Sequence, residues 1–311
     1  MANTELIKKL RESTGCGMSD CNKALKECGD DYDKSVEWLR KKGLSSAAKK
    51  SSRIASEGVI GIMNNGNISS VVEINSETDF VARNEKFQSF AKDVLRNALS
   101  IFDKDESKYV EALKESQLDN EKLNDALTHN IAIIGENIQI RRGKTIKQDG
   151  GLIVSYIHNA VIDGLGKIGV LVSLKSKANK EKLSEFGKGI AMHIAAAKPE
   201  FLSEKDVPES KLENEKDIAR ELAKKTGKPD AIVEKMVEGR VKKFFEESVL
   251  LNQIYVIDGE KKISELLKDF EKENSESVEI AEYVLYVLGE GIEKKEVNFT
   301  DEVASIIGET Q

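Results

Sequence analysis

Three glycines match the spacing of a dinucleotide-binding loop, GxGxxG, at Gly164, Gly166 and Gly169. That loop needs a helix immediately after it, because the helix N-terminus faces the pyrophosphate of the ligand. Here the next residues, 170–174, read VLVSL, which predicts a strand. We therefore expect the glycines to bend a hairpin. A nucleotide-dependent enzyme stays a rival class, which predicts that the isolated protein binds NAD(H) or a nucleotide.

The other residues that could support catalysis or metal binding are cysteines and histidines, namely Cys16, Cys21, Cys28, His129, His158 and His193. The cysteines are too few for a closed zinc site, no histidine lies near them in sequence, and the histidines share no metal-ligand spacing. Cys21 and Cys28 fall on one predicted helix face, which suits small core residues. We expect His193 to pack in an apolar face and His158 to be exposed. The sequence thus predicts no enzyme, no metal and no cofactor, but a protein that binds another macromolecule.

The composition narrows the class of partner. The net charge of −7, with acidic and basic residues interleaved, argues against nucleic acid. No apolar run approaches the ~18 residues that a membrane span needs, so we expect no membrane partner. The N-terminus, MANTELIKKL, has no signal-peptide pattern, and the three cysteines lie within the first 28 residues, outside any disulfide framework. These features predict a cytoplasmic protein.

The most distinctive stretch is residues 73–84, EINSETDFVARN, between a predicted strand and an amphipathic helical pattern. Thr78 and Asp79 are both good helix N-caps, because a short side-chain oxygen accepts from free N–H groups. Phe80 then stands at the helix start, where its ring is either core or an exposed probe. Periodicity alone favours core, since aromatic residues are mostly buried.

We predict an α+β fold of small antiparallel sheets with helices. Its expected segments are a three-helix module resembling the ubiquitin-associated domain (1–43), a linker (44–57), a first core subdomain (58–135), a second core subdomain (136–178 plus 231–288), an inserted helical arm (179–230) and a C-terminal module (289–311).

Several local predictions are specific enough to test. Gly43 is expected to stop the third helix, and Asn65-Gly66 to form a type I′ hairpin turn. Residues 254–257 and 278–288 are expected to form strands. A helix is expected to stop at Gly135, and residues 300–307 are expected to form a short helix. In the arm, apolar residues of a first helix are expected to face those of a second, pairing Ile190, Ile194 and Ala197 with Ile218 and Leu222.

Short motifs in a fixed order make the chain resemble bacterial translation elongation factor Ts, the guanine-nucleotide exchange factor for elongation factor Tu. They include residues 10–18 (LRESTGCGM), 78–82 (TDFVA), 134–137 (IGEN), 155–158 (SYIH), 198–201 (KPEF) and 234–240 (EKMVEGR). Two positions depart from the commoner pattern. Cys16 stands where alanine is usual, and Asn159 where glycine is usual.

The resemblance implies that the chain binds elongation factor Tu and displaces GDP by disturbing its Mg²⁺ and phosphate site, so that GTP can rebind. The residues it assigns to this contact are Leu10, Thr78, Asp79, Phe80, Val81, Ile134, Gly135, His158, Met236 and Val237. It also implies that residues 300–307 hold the partner's G domain from outside, and that the arm can form a homodimer. The alternative is a dimeric adaptor that binds a protein through its N-terminal module, by the turn at residues 15–18.

Overall fold

The computed structural model describes residues 4–103, 105–119, 121–225 and 229–293. The N-terminal module contains three helices, α1 (Thr4–Thr14), α2 (Met18–Glu27) and α3 (Tyr32–Lys50). Their shared core includes Leu10, Cys21 and Leu25, all fully buried. The predicted stop at Gly43 is wrong, and residues 44–50 are helix rather than linker. Gly43 is buried where α3 crosses the core, and a Cβ there would lie 3.3 Å from the Cβ of Ala132.

The first sheet has the strand order β5-β2-β1-β7 and is antiparallel. Its strands are β1 (Glu57–Asn65), β2 (Ile68–Ser76), β5 (Ile138–Lys147) and β7 (Leu165–Gly166). Helices α4 (Glu85–Ala98), α5 (Glu106–Glu115) and α6 (Leu123–Ile134) cover its outer face, and a small hairpin, β3 (Gln117–Leu118) with β4 (Glu121–Lys122), precedes α6. Because β5 pairs with β2, the sheets do not divide at the predicted subdomain boundary of residue 135.

The second sheet has the order β6-β8-β9 and is also antiparallel. It contains β6 (Gly151–His158), β8 (Ile168–Ser176) and β9 (Val278–Val287). Helices α7 (Lys180–Ala197) and α10 (Ile263–Asn274) pack on its outer face. The two sheets pack against each other through their inner faces. Ile60 and Val71 of the first sheet form one buried cluster there with Leu171 and Val284 of the second sheet. The core is therefore a four-layer stack of helices, sheet, sheet and helices.

The β1–β2 hairpin forms as predicted, but its turn differs from the predicted type. Asn65 pairs with Ile68, so the loop residues are Gly66 and Asn67. Gly66 has φ +64°, and Asn67 has no positive φ. Positive φ at the first loop residue alone is the pattern of a type II′ turn, which favours glycine there.

The helical arm consists of other helices than the predicted ones. α7 is not part of it, because Ile190 and Ile194 are buried against the second sheet rather than facing Ile218 and Leu222. The helical hairpin instead consists of α8 (Glu209–Lys224) and α9 (Asp230–Ser248). Their seam contains small and branched residues, namely Ala219, Ala223, Val233 and Val237.

Two further predictions concern the C-terminal third. Residues 254–257 are a loop and not a strand, because only an isolated bridge joins Ile254 to Lys262. The predicted strand at 278–288 is confirmed as β9. The short helix predicted at residues 300–307, and the C-terminal module beyond residue 293, lie outside the described residues.

A buried ion cluster ties the sheets together beside the chain end of β9. Glu73 of β2 is fully buried, and its carboxylate lies 3.0 Å from Arg141 and 2.6 Å from Arg142. The same carboxylate accepts hydrogen bonds from the backbone N–H of Gly289 and from the side chain of Asn75. Each oxygen is thus satisfied, as a buried charge requires.

Candidate partner-binding site

Phe80 is the most exposed large apolar side chain in the described part of the chain, at 78%. It stands in the turn after β2, just before a 3₁₀ helix (Val81–Arg83). The next two residues, Val81 and Ala82, are buried in the core of the first sheet. The exposed reading of Phe80 is therefore correct, and periodicity alone would have buried it.

The helix caps at this corner are not the predicted ones. Asn84 caps α4, its side-chain oxygen accepting hydrogen bonds from the backbone N–H groups of Lys86 and Phe87. Thr78 instead donates twice to Glu136, from its N–H to Oε2 at 2.9 Å and from its hydroxyl to Oε1 at 2.7 Å. Asp79 is exposed beside Phe80. Thr78 thus anchors the corner and does not begin the helix.

A second hydrogen bond joins the same two chain segments, but here the donor lies on the segment after α6 and the acceptor lies on the Phe80 turn. The backbone N–H of Asn137 donates to Oε1 of Glu77 at 2.6 Å, and Arg53 lies 3.4 Å from the Glu77 carboxylate. The side chain of Asn137 donates to the carbonyl of Arg53. We call the paired residues Glu77–Thr78 and Glu136–Asn137 the corner clamp. It holds the Phe80 turn to the segment that follows α6.

The corner clamp brings two sets of predicted site residues together. Gly135 ends α6 in the left-handed conformation, with φ +88°, so the chain turns sharply into Glu136. Ile134 is half-buried at the edge of the first core and Gly135 is exposed. Thr78, Asp79 and Phe80 therefore share one surface region with Ile134 and Gly135. Val81, also predicted as a contact residue, lies beneath that surface, because its side chain is buried in the core.

The N-terminal module rests against this region through its turn. The Lys86 ammonium donates to the carbonyl of Gly15 at 3.3 Å, and Gly15 lies against Ile133. Met18, at the start of α2, is 58% exposed. The prediction that Leu10 contacts the partner is not supported by its position. Leu10 is fully buried in the module core, so its side chain cannot meet a partner without unfolding the module.

The remaining predicted contact residues lie on the second sheet and on the hairpin. His158 is exposed at the end of β6, and its Nδ1 lies 3.0 Å from the hydroxyl of Tyr156. Asn159, where glycine was usual, has φ +51°, a conformation that asparagine tolerates better than most residues. On α9, Met236 is 37% exposed, but Val237 is buried in the seam with α8.

The glycine motif is not a nucleotide site, because Gly169 lies within β8 and a strand follows Gly164, as the sequence predicts. His193 is packed, also as predicted, and its Nε2 lies 2.9 Å from Gln253. Among the described residues, no helix has both the length and the apolar character that a membrane span requires. The geometry at the corner offers an exposed ring and backbone groups rather than a reaction centre.

Sequence reasoning missed the residues that hold the corner, namely Glu77, Glu136, Asn137 and Asn84. Asn84 carries a local signal, because asparagine is a preferred N-cap and the helical pattern begins directly after it. Glu136 carries none, because its partner Thr78 is 58 residues away along the chain.

An exposed aromatic ring on an ordered corner is typical of proteins that bind another macromolecule. Comparisons with known proteins make the class specific. A family model described as elongation factor TS matches residues 77–290. The chain is 49% identical over 303 residues to elongation factor Ts of Rhodospirillum rubrum, covering 96% of each chain. It is 46% identical over 303 residues to that of Zymomonas mobilis, covering 97% of each.

The chain belongs to the elongation factor Ts family. This confirms the resemblance drawn from the ordered motifs, and places the protein among the elongation factors of protein synthesis.

Proposed function

We propose that this protein is a guanine-nucleotide exchange factor that binds elongation factor Tu·GDP and displaces GDP. In this proposal Asp79 and Phe80 enter the G domain and disturb its Mg²⁺ and phosphate site, while Ile134 and Gly135 press the same region. GTP then rebinds. The observation that carries the proposal is the 78% exposure of the Phe80 ring in a turn that is held by the Thr78 hydrogen bonds before it and by the buried Val81 after it.

The energetics suit an exchange factor that needs no catalytic group. A protein that binds nucleotide-free Tu more tightly than Tu·GDP must, by linkage, weaken GDP binding by the same factor. Burying one phenylalanine contributes roughly 1.5–3 kcal/mol. Each tenfold acceleration of release needs about 1.4 kcal/mol of barrier reduction. Phe80 therefore supplies about one to two decades, and other contacts must supply the rest.

The helical hairpin offers one such further contact. Each of its helices carries an exposed apolar pair four residues apart, Ile218 with Leu222 on α8 and Ile232 with Met236 on α9. Residues at that spacing share one helix face. We propose that these exposed apolar pairs of the hairpin, together with the exposed His158, make further contacts with elongation factor Tu. A homodimer through the same hairpin stays a prediction.

The test is release of labelled GDP from elongation factor Tu over a range of concentrations of this protein. Phe80→Ala should lower the saturating release rate by about ten- to a hundredfold, with a smaller change in the half-saturating concentration. Phe102→Ala is the matched control, because Phe102 is 55% exposed but lies in irregular chain after α4. It should leave both quantities unchanged.

Two results would contradict the proposal. An unchanged saturating rate in Phe80→Ala would show that Phe80 does not disturb the Mg²⁺ and phosphate site. No acceleration of GDP release by the wild-type protein would contradict the exchange function itself. The second result would favour the adaptor alternative. That alternative has less support, because the turn at residues 15–18 is partly covered by Lys86 and Ile133 of the protein's own core.

A further inference from the structure

A cavity of about 410 Å³ lies between the N-terminal module and the core. Arg40 of α3 lines one side, and His129 of α6 lines the other. Cys16, in the turn between α1 and α2, lines the same cavity beside Thr14. The volume falls within the range of roughly 300–1,000 Å³ that ligand pockets occupy.

Thr14, His129 and Cys16 form a chain of contacts in this cavity. Nε2 of His129 lies 2.5 Å from the carbonyl oxygen of Thr14. A carbonyl oxygen only accepts, so Nε2 carries the proton and Nδ1 is the basic nitrogen of the ring. Cys16 lines the same cavity as His129, and its backbone N–H donates to the Thr14 hydroxyl at 3.4 Å. A nucleophile, a base and a group that orients the base are thus assembled in one place.

The charges around the pair favour the ionised thiol. The His129 side chain beside Cys16 lowers the pKa of the thiol below its ordinary value, although partial burial opposes this. The Cys16 side chain in turn raises the pKa of His129, and Glu121 adds to that effect. Asp20 of α2 acts against the thiolate, but more weakly.

The other two cysteines provide an internal comparison. Cys21 is fully buried, and burial raises the pKa of its thiol. Cys28 is half-buried at the C-cap of α2 and lies outside the cavity lining. Neither shares the histidine partner of Cys16.

We infer that Cys16 is a modification site that takes up low-molecular-weight disulfides in the cavity between the N-terminal module and the core. The Cys16 sulfur attacks one sulfur of the disulfide, forming a new S–S bond as the old one breaks. His129 accepts the thiol proton and the departing thiolate takes it up. The products are a mixed disulfide at Cys16 and one free thiol, so Cys16 is oxidised and half of the reagent is reduced.

The expected rate follows from the ionised fraction. An ordinary cysteine with a pKa of about 8.5 is ionised to about 3% at pH 7. Complete ionisation would raise the rate about thirtyfold, and the lower nucleophilicity of an acidic thiolate removes part of that gain. We therefore expect Cys16 to react about tenfold faster than Cys28 with dithiobis-nitrobenzoate, which releases a coloured thiol. Peptide mass spectrometry assigns the adduct, and oxidised glutathione then serves as the second probe.

Variants separate reactivity from accessibility. Cys16→Ser should abolish the fast phase, Cys28→Ser should retain it, and His129→Gln should slow it about tenfold. The midpoint of the pH–rate profile for Cys16 should lie lower in the wild type than in His129→Gln, with circular dichroism checking that the variant is folded. Equal Cys16 rates in wild type and His129→Gln, or faster labelling at Cys28, would overturn the inference. None of these measurements uses elongation factor Tu, so they are independent of the proposed function.

Discussion

Removing the carboxylate of Glu136 should loosen the corner that carries Phe80 and slow GDP release from elongation factor Tu. Glu136 accepts both the N–H and the hydroxyl of Thr78, at 2.9 and 2.7 Å, two residues before the ring. A hydrogen bond to a charged acceptor contributes roughly 1.5–3 kcal/mol, and the half-exposed position of this carboxylate reduces that gain. We take about 1–3 kcal/mol for the two bonds together.

The kinetic effect depends on how often the freed corner adopts its binding arrangement. A ring that occupies this arrangement one-tenth of the time loses one decade, or about 1.4 kcal/mol. We therefore expect Glu136→Ala to lower the saturating release rate about tenfold. Glu136→Gln is the matched control, because its amide oxygen accepts from the Thr78 N–H and its NH₂ donates to the Thr78 hydroxyl. Its rate should stay within about threefold of wild type.

A double-mutant cycle decides whether Glu136 acts through Phe80. If Glu136 only positions the ring, Phe80→Ala and the double variant should release GDP at the same rate. Hydrogen exchange at the Thr78 amide should also become faster in Glu136→Ala, whether or not Tu is present. Additive effects in the cycle, or an unchanged rate in Glu136→Ala, would refute the positioning argument.

Two further predictions concern the stability of the scaffold. Glu73→Ala should destabilise the protein by about 3–5 kcal/mol in urea unfolding, because it leaves two arginines without their buried partner, whereas Glu282→Ala, at an exposed pair with Lys144, should change stability by less than about 1 kcal/mol. Burial raises the pKa of Tyr109 from 10.0 to about 12, so the folded state holds this proton more tightly and stability should fall by about 1.4 kcal/mol per pH unit between those values. Tyr109→Phe should remove about 1.4 kcal/mol per pH unit from that slope, while the raised pKa values of Tyr283 and Tyr286 maintain the remaining loss, and an unchanged slope would contradict the assignment.

Local signals predicted many elements well. The β1–β2 hairpin, the end of α6 at Gly135 and the strand β9 follow from alternation, turn residues and a C-cap glycine. α5 was missed although its signal is local. Asp105 caps it by accepting hydrogen bonds from Ser107 and Lys108, and Tyr109, Val110 and Leu113 are buried.

Features set by contacts distant in sequence were not predictable from periodicity. The apolar face of α7 is visible in the sequence, but the same pattern fits burial against a helix or against a sheet. The structure buries it against the second sheet, through Ile190 and Ile194. Similarly, the alternation of β5 does not say that it pairs with β2.

The candidate site likewise contains residues that the sequence predicted correctly and residues that it did not. Motif order indicated residues 78–81 and 134–135, and the structure places residues 78–80 and 134–135 on one surface region. Motif order also gave Leu10, Val81 and Val237 as contact residues, but all three side chains are buried. A motif residue can thus be fixed by its role in packing, and the motif alone does not separate the two roles.

Phe80 combines exposure with order, and folding alone does not account for that combination. An exposed ring contributes little to the hydrophobic stabilisation of the free protein. Yet the chain on both sides of it is fixed, by Glu136 before the ring and by the buried Val81 after it. Binding through such a ring loses little free energy to ordering. Phe102 is also exposed, at 55%, but in irregular chain elsewhere, so the comparison of Phe80→Ala with Phe102→Ala tests whether exchange depends on this corner or on exposed apolar surface in general.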